Sequence, residues 1–216
     1  MRTIQKVQEP QSLTWHRQQP HANYDNYADK DKLRQYLVAE QRGVCCYCQS
    51  RIRAIDAEGK PTNKYMKIEH WQSQTGYPAR QLDFTNLLGA CLGREGHPER
   101  EQHCDTRKGN SNLCFSVCDP AHLIERQIRL LGNGQITSDD AAINEALNSV
   151  LNLNWPRLTS NRRAVLDAFQ QRLQHGRRID PARELPKWDG SEPGDLPEYA
   201  QVIVYWLRKK QARATR

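Results

Sequence analysis

Cys45 and Cys48 stand as C-x-x-C in GVCCYCQS, and Cys91 and Cys104 follow in ACLGREGHPEREQHC. Two thiolates at this spacing on a tight turn can grip one metal ion, and a second pair completes a tetrahedral zinc site. The first pair has the usual spacing; the second has twelve residues between its members, which is unusual for a ligand pair. Cys46 is an alternative to Cys45 and His103 an alternative to Cys104, while CCYC taken alone is also read as a set of buried thiols. Cys114 and Cys118 form a further C-x3-C pair with nothing nearby to support a second site, and are expected to be buried thiols. Between the two cysteine pairs come Glu69–His70 and then Asn86. At a strand end, adjacent side chains point to opposite faces, so the carboxylate can take a hard cation while the imidazole reaches a water. The dipeptide by itself has no specificity, and a structural histidine is the commoner case.

The elements that must carry these residues are read from period and punctuation. KYMKIE (64–69) alternates as a strand leading into Glu69–His70, and Leu87–Leu88 in TNLLGAC marks a second. KDKLRQYLVAEQR (30–42) places Leu33, Tyr36 and Leu37 on one side and is followed by Gly43, which predicts a short amphipathic helix. Residues 1–29 are polar, with Pro10 and Pro20, and read as an extended arm with turns. Beyond Asp119–Pro120, IERQIRLL, GNG and QIT read as a β-hairpin. Ser138 and Asp139 then cap a helix bearing Ile143, Leu147, Val150 and Leu151. A longer helix over about 157–175 turns Leu158, Val165, Leu166, Phe169 and Leu173 inward and stops at Gly176. Residues 176–195, rich in Pro, Gly and Asp, read as a linker. Pro197 opens a last helix whose Tyr199, Val202, Ile203, Trp206 and Leu207 make a wide apolar face, most simply core, alternatively a dock for another protein. The chain thus divides into an N-terminal arm and helix (1–42), a cysteine-bearing centre (43–118), and a hairpin with a helical C-terminal region (119–216).

Composition limits the function classes. The 216 residues are 37% apolar, with five Trp and eight Tyr, a globular rather than a disordered profile. No run approaches the roughly 18 apolar residues of a membrane span, and MRTIQKVQEPQ lacks a signal peptide's apolar stretch, so a cytoplasmic protein without a membrane partner is expected. Seven cysteines in such a chain argue for metal ligands or buried thiols over a disulfide framework. The net charge of +7 suits a nucleic-acid partner without requiring one. The denser basic run Arg208, Lys209, Lys210, Arg213 and Arg216 reads as a solvated helix end.

The order of these residues resembles the HNH endonucleases, the ββα-metal or His-Me finger nucleases framed by a zinc-knotted treble clef. Their pattern, C-x2-C…(D/E)H…N…C-x2-C(H/N/D)-x2-K, is met here by Cys45, Cys48, Glu69, His70, Asn86, Cys91, Cys104, Asp105 and Lys108. The departure is the loop LGREGHPEREQH between Cys91 and Cys104, a bulge that costs little closure entropy. MRTIQKVQEP, AEQRGVCCYC, HCDTRKGN, GNGQI and LNLN…NRR are further similar, over roughly residues 1–175, to the PtuB-like branch encoded beside an ATPase in Septu-type and retron anti-phage systems.

The resemblance implies an α+β fold, with a zinc-bound treble-clef nuclease core and added helices at both ends. It implies that His70 is the general base, that Glu69 and Asp105 hold one Mg²⁺ or Mn²⁺ at the scissile phosphate, and that Asn86 ties the loop between the strands. It further implies that Lys108 touches a phosphate and that Cys45, Cys48, Cys91 and Cys104 bind a structural Zn²⁺. The implied activity is phosphodiester hydrolysis in the bacterial cytoplasm. The implied partners are nucleic acid, a PtuA-like ATPase and, in a retron, the reverse transcriptase with its DNA. A non-catalytic treble clef that binds nucleic acid or the ATPase is the alternative.

Overall fold

The computed structural model describes residues 1–174 and 180–214; Gly176, Arg216 and the side chain of Leu173 fall outside this description. The chain is α+β with two small sheets. Its elements run α1 (Gln11–Arg17), α2 (Lys30–Gln41), β1 (Lys67–His70), β2 (Leu87–Ala90), α3 (Cys104–Lys108), α4 (Ile124–Gln127), β3 (Ile128–Leu130), β4 (Ile136–Ser138), α5 (Ala141–Glu145), α6 (Pro156–Gln174), α7 (Pro181–Glu184), α8 (Pro186–Asp189) and α9 (Ala200–Ala214).

β1 and β2 pair antiparallel, with Glu69 opposite Leu88 and His70 opposite Leu87. The first strand begins three residues later than the alternation of KYMKIE suggested, at Lys67. α2 lies against β2, and one buried side chain joins them. The Gln41 amide donates to the Gly89 carbonyl (2.7 Å) and accepts from its N–H (2.6 Å), taking the place of a third strand. α2 ends on Arg42 in the left-handed conformation, and the following Gly43 returns its N–H to Val38. A small cluster of Leu13, Leu33, Leu37, Phe84 and Leu87 fills the space between α1, α2 and the strands.

The main core crosses all three stretches of the chain. It joins Met1 and Ile4 to Tyr47, Leu88, Phe115, Leu147, Phe169 and Ile203. The N-terminal segment is therefore not the free arm its polarity suggested: it contains α1, and the Ile4 N–H donates to Val117 (2.7 Å). A few well-spaced apolar residues anchor it, and average polarity hides them. The expected linker departs in the same way. Its described part forms α7 and α8, Trp188 meets Phe169 edge-on at 5.6 Å, and the Arg42 guanidinium donates to the carbonyls of Gly190, Glu192 and Gly194.

The hairpin of β3 and β4 has the expected glycine-bearing turn. Gly134 is required there: its φ is +85°, and a Cβ would sit 2.0 Å from the Thr159 carbonyl oxygen. The α5 cap is Asp140 in place of Ser138 or Asp139, and it accepts from the Ile143 N–H at 2.9 Å. α5 continues as a π-helical turn over Ala146–Val150. α9 starts at Ala200, three residues after Pro197, because Tyr199 takes a left-handed φ of 56°. Val202, Ile203, Val204 and Leu207 are buried, and Trp206 packs edge-on against Phe169 at 5.6 Å. That apolar face is core rather than a dock. No described helix is long and apolar enough to cross a membrane.

Because Ile203 on α9 is wholly buried in the main core, Ile203→Ala should lower the free energy of unfolding by about 2–5 kcal/mol in urea titration. A loss within about 0.5 kcal/mol would return α9 to the surface.

Candidate functional site

The four sulfurs of Cys45, Cys48, Cys91 and Cys104 converge in the core, all within 4.8 Å of one another. Cys45 to Cys104 is 3.9 Å and Cys48 to Cys91 is 3.7 Å. A tetrahedron with arms of the usual Zn–S length has edges of about 3.8 Å, so the spacing suits a metal such as zinc. The first pair sits on a tight turn closed by Gln49 N–H to the Cys45 carbonyl (3.1 Å) and Cys45 N–H to Ser50 (2.9 Å). The long loop between Cys91 and Cys104 folds back on itself: His103 N–H donates to the Gly93 carbonyl at 3.0 Å. Gly93 makes this possible, since a Cβ there would meet the His103 carbonyl oxygen at 2.1 Å.

Burial opposes ionisation of Cys45, but hydrogen bonds led by that from Cys104 outweigh it and hold the thiol well below its ordinary range. Cys104 is pushed well above that range, burial first. His103 stacks on Trp155 with its Nδ1 3.2 Å from the Cys104 sulfur, beside a donor set that four thiols complete without it. Cys46 is buried but is not one of the four. Cys114 is exposed and Cys118 only partly buried, so they are not the buried pair expected.

The carboxylates lie beside this cluster. β1 delivers Glu69, and α3 delivers Asp105 directly after Cys104. Glu69 is 1% exposed; its Oε1 accepts from the Tyr47 hydroxyl (2.7 Å) and pairs with the Lys108 ammonium (2.9 Å). Burial drives the Glu69 carboxyl well above the usual range, and the neighbouring Asp105 carboxylate pushes the same way. Neighbouring carboxylates that repel one another are what a divalent cation can bind between.

His70 lies on the other side of β1, its ring 4.4 Å from Tyr24 in an edge-on contact. Its Nε2 donates to the Gln81 carbonyl at 3.0 Å, which leaves Nδ1 as the acceptor nitrogen. Burial holds the imidazole below its ordinary pKa of 6.5, so it is neutral at neutral pH. Asn86 is fully buried and ties the loop after β1: its side chain accepts from Gln72 N–H (2.7 Å) and donates to the carbonyls of Gln72 and Arg80 (both 3.0 Å). Glu69, His70, Asp105, Lys67 and Arg34 line one open cleft of about 500 Å³.

Lys108 corrects the expected phosphate contact. Its side chain is 0% exposed, and besides Glu69 it donates to the His70 carbonyl at 3.0 Å. It binds α3 to β1 and has no free face for a ligand. Tyr47 and Arg34 were missed from sequence. Tyr47 stands inside the C-x-x-C turn and was open to notice as an aromatic with a polar tip; Arg34 carried no signal among the other charges of α2. No family model matches the chain, and a search of curated proteins finds no match.

The purified protein is expected to hold one zinc per chain by elemental analysis, and Cys104→Ser to lose it with a fall in melting temperature. His103→Ala should retain the metal. Lys108→Met should cost about 3–5 kcal/mol, because Glu69 is left buried and unpaired. The deficit should shrink as pH falls: Glu69's folded pKa is raised further without the ammonium, and protonation removes the buried charge. Glu69→Gln in the same chain should recover much of the loss in a double-mutant cycle.

Proposed function

We propose that this chain is a metal-dependent HNH endonuclease that hydrolyses phosphodiester bonds of nucleic acid and works with an ATPase in anti-phage defence. One observation carries the reading: a neutral, tautomer-fixed His70 and the Glu69–Asp105 carboxylate pair line the same cleft, beside a four-thiol cluster suited to structural zinc. On this reading the four thiols and β1–β2 with α3 form a zinc-held treble clef. Four sulfur ligands leave zinc no open position, so its role is to fix the fold.

Glu69 and Asp105 would hold Mg²⁺ or Mn²⁺, which supplies Lewis-acid stabilisation of the charge that develops on the phosphate. His70 Nδ1 takes the proton of the attacking water, while the Gln81 carbonyl keeps Nε2 protonated and the ring oriented. Asn86 holds the loop that carries Gln81. Lys108 and Tyr47 fix Glu69 at its inner oxygen.

The ATPase partner, the retron reverse transcriptase and the bacterial cytoplasmic setting rest on the sequence resemblance to the PtuB-like branch. A non-catalytic treble clef is the second reading, and one observation favours it: Glu69 Oε1 is already occupied by Tyr47 and Lys108. A purely structural cluster, however, has no use for a neutral histidine with an acceptor nitrogen beside it.

The test is incubation of the protein with DNA or RNA and Mg²⁺ or Mn²⁺, alone and co-purified with the neighbouring ATPase. His70→Ala should lower the cleavage rate by about 10²–10⁴ with zinc content unchanged. The rate should rise with pH through an apparent pKa below 6.5 and level off by neutrality, because burial depresses His70 and the base works only when unprotonated. A His70→Ala protein that cuts as fast as its parent removes His70 as the base, and a parent that cuts neither alone nor with the ATPase removes the nuclease reading.

A further inference from the structure

We propose that Arg34 grips a phosphate of the bound nucleic acid in the cleft; the assignment rests on the nuclease reading and adds to it a substrate-binding residue from α2. Arg34 lines the cleft with Glu69, His70 and Asp105. Its side chain is 15% exposed, and its Nε is buried with no hydrogen-bond partner among the described residues. A guanidinium offers five N–H donors in a planar fork, and a buried donor without an acceptor is a standing desolvation cost. Among the described residues this fork forms one ion pair, Nη1 to Asp31 Oδ1 at 2.6 Å. Asp31 is 57% exposed, so water screens that pair and an incoming anion can compete with it.

The other cations at the cleft are committed. Lys67 is held by Glu95 (3.0 Å) and the Thr106 hydroxyl (3.1 Å), and Lys108 is buried against Glu69. Arg34 also acts on the aromatic neighbour of His70. Its positive charge acts on the Tyr24 hydroxyl against the effect of burial, and the Tyr24 ring touches His70. A group with an unspent donor, a fork geometry and a place in the same cleft as the proposed base fits the paired oxygens of a phosphodiester.

The experiment separates binding from cutting. His70→Ala protein, in buffer without Mg²⁺ or Mn²⁺, is titrated into fluorescent DNA and RNA oligonucleotides, single-stranded and duplex, over a range of salt. Adding Arg34→Ala should weaken binding about tenfold and lower the salt slope by about one, with melting temperature and zinc content kept. Arg34→Lys should recover part of the slope, and Asp31→Asn should bind as tightly as the parent or tighter. Arg34→Gln, close in volume, serves the same comparison if the alanine variant unfolds.

Unchanged affinity and slope in Arg34→Ala or Arg34→Gln overturn the assignment. A parent that cuts, with Arg34→Ala cutting at the same KM and kcat, overturns it while leaving the nuclease reading intact. A parent that binds through Arg34 yet never cuts removes the nuclease reading alone. A parent with no affinity for nucleic acid removes both.

Discussion

Cys91 continues β2 and Cys104 opens α3, so the closure of four sulfurs to within 4.8 Å sets how the strand pair and the short helix face each other. Both carboxylates of the cleft depend on that distance. Asp105 follows Cys104 in the chain, and Glu69 is fixed by its register opposite Leu88, three positions before Cys91. A helix of five residues cannot hold itself in water. α3 is held from outside, by Cys104 in the thiol cluster, by its N–H bond to Leu151 (2.9 Å), and by Lys108 on β1. The left-handed φ of 57° at Cys104 is tolerated because all of these over-determine the turn.

The second constraint is charge without water. Glu69 and Lys108 are both essentially unexposed, and a buried ion pair returns little net stability once desolvation is counted. Its value here is positional. The ammonium reaches the Glu69 carboxylate and the His70 carbonyl together, so it locks the two adjacent strand residues to the helix that bears Asp105. Tyr47 closes the circuit, since it lies between Cys46 and Cys48 and donates to the same carboxylate. The thiol cluster and the cleft therefore share a side chain, and a disturbance at the sulfurs reaches Glu69 through one residue.

Sequence disclosed the parts whose chemistry is local. C-x-x-C, the alternation into Glu69–His70 and the GNG turn each express a short-range rule, and the structure has a thiol cluster, β1 and a hairpin at those places. It misjudged what depends on distant partners. Residues 1–29 and 180–195 look polar and punctuated, yet they are held by contacts such as Ile4 to Val117 and Arg42 to three carbonyls of the 190–194 loop. Lys108 looks like any surface lysine because the carboxylate that buries it lies 39 positions earlier in the chain. The π-helical turn after α5 was hidden in the same way, since apolar spacing reads as an unbroken α-helix.

The cleft's own charge bears on how nucleic acid would come to it. Glu69, Asp105 and Glu95 stand there against Arg34 and Lys67, with Lys108 behind them, so the +7 of the whole chain is not concentrated at this opening. A polyanion feels little long-range attraction toward a wall of balanced charge, and steering falls off within a Debye length of about 8–10 Å in any case. Binding at such a site depends on short-range donors with fixed geometry and on whatever surface first presents the strand. A cleft that works only on substrate brought to it is quiet when the chain is alone. On the proposed reading, that property suits a nuclease whose cutting waits on a partner, and it comes from the placement of five charged side chains rather than from any lid over the site.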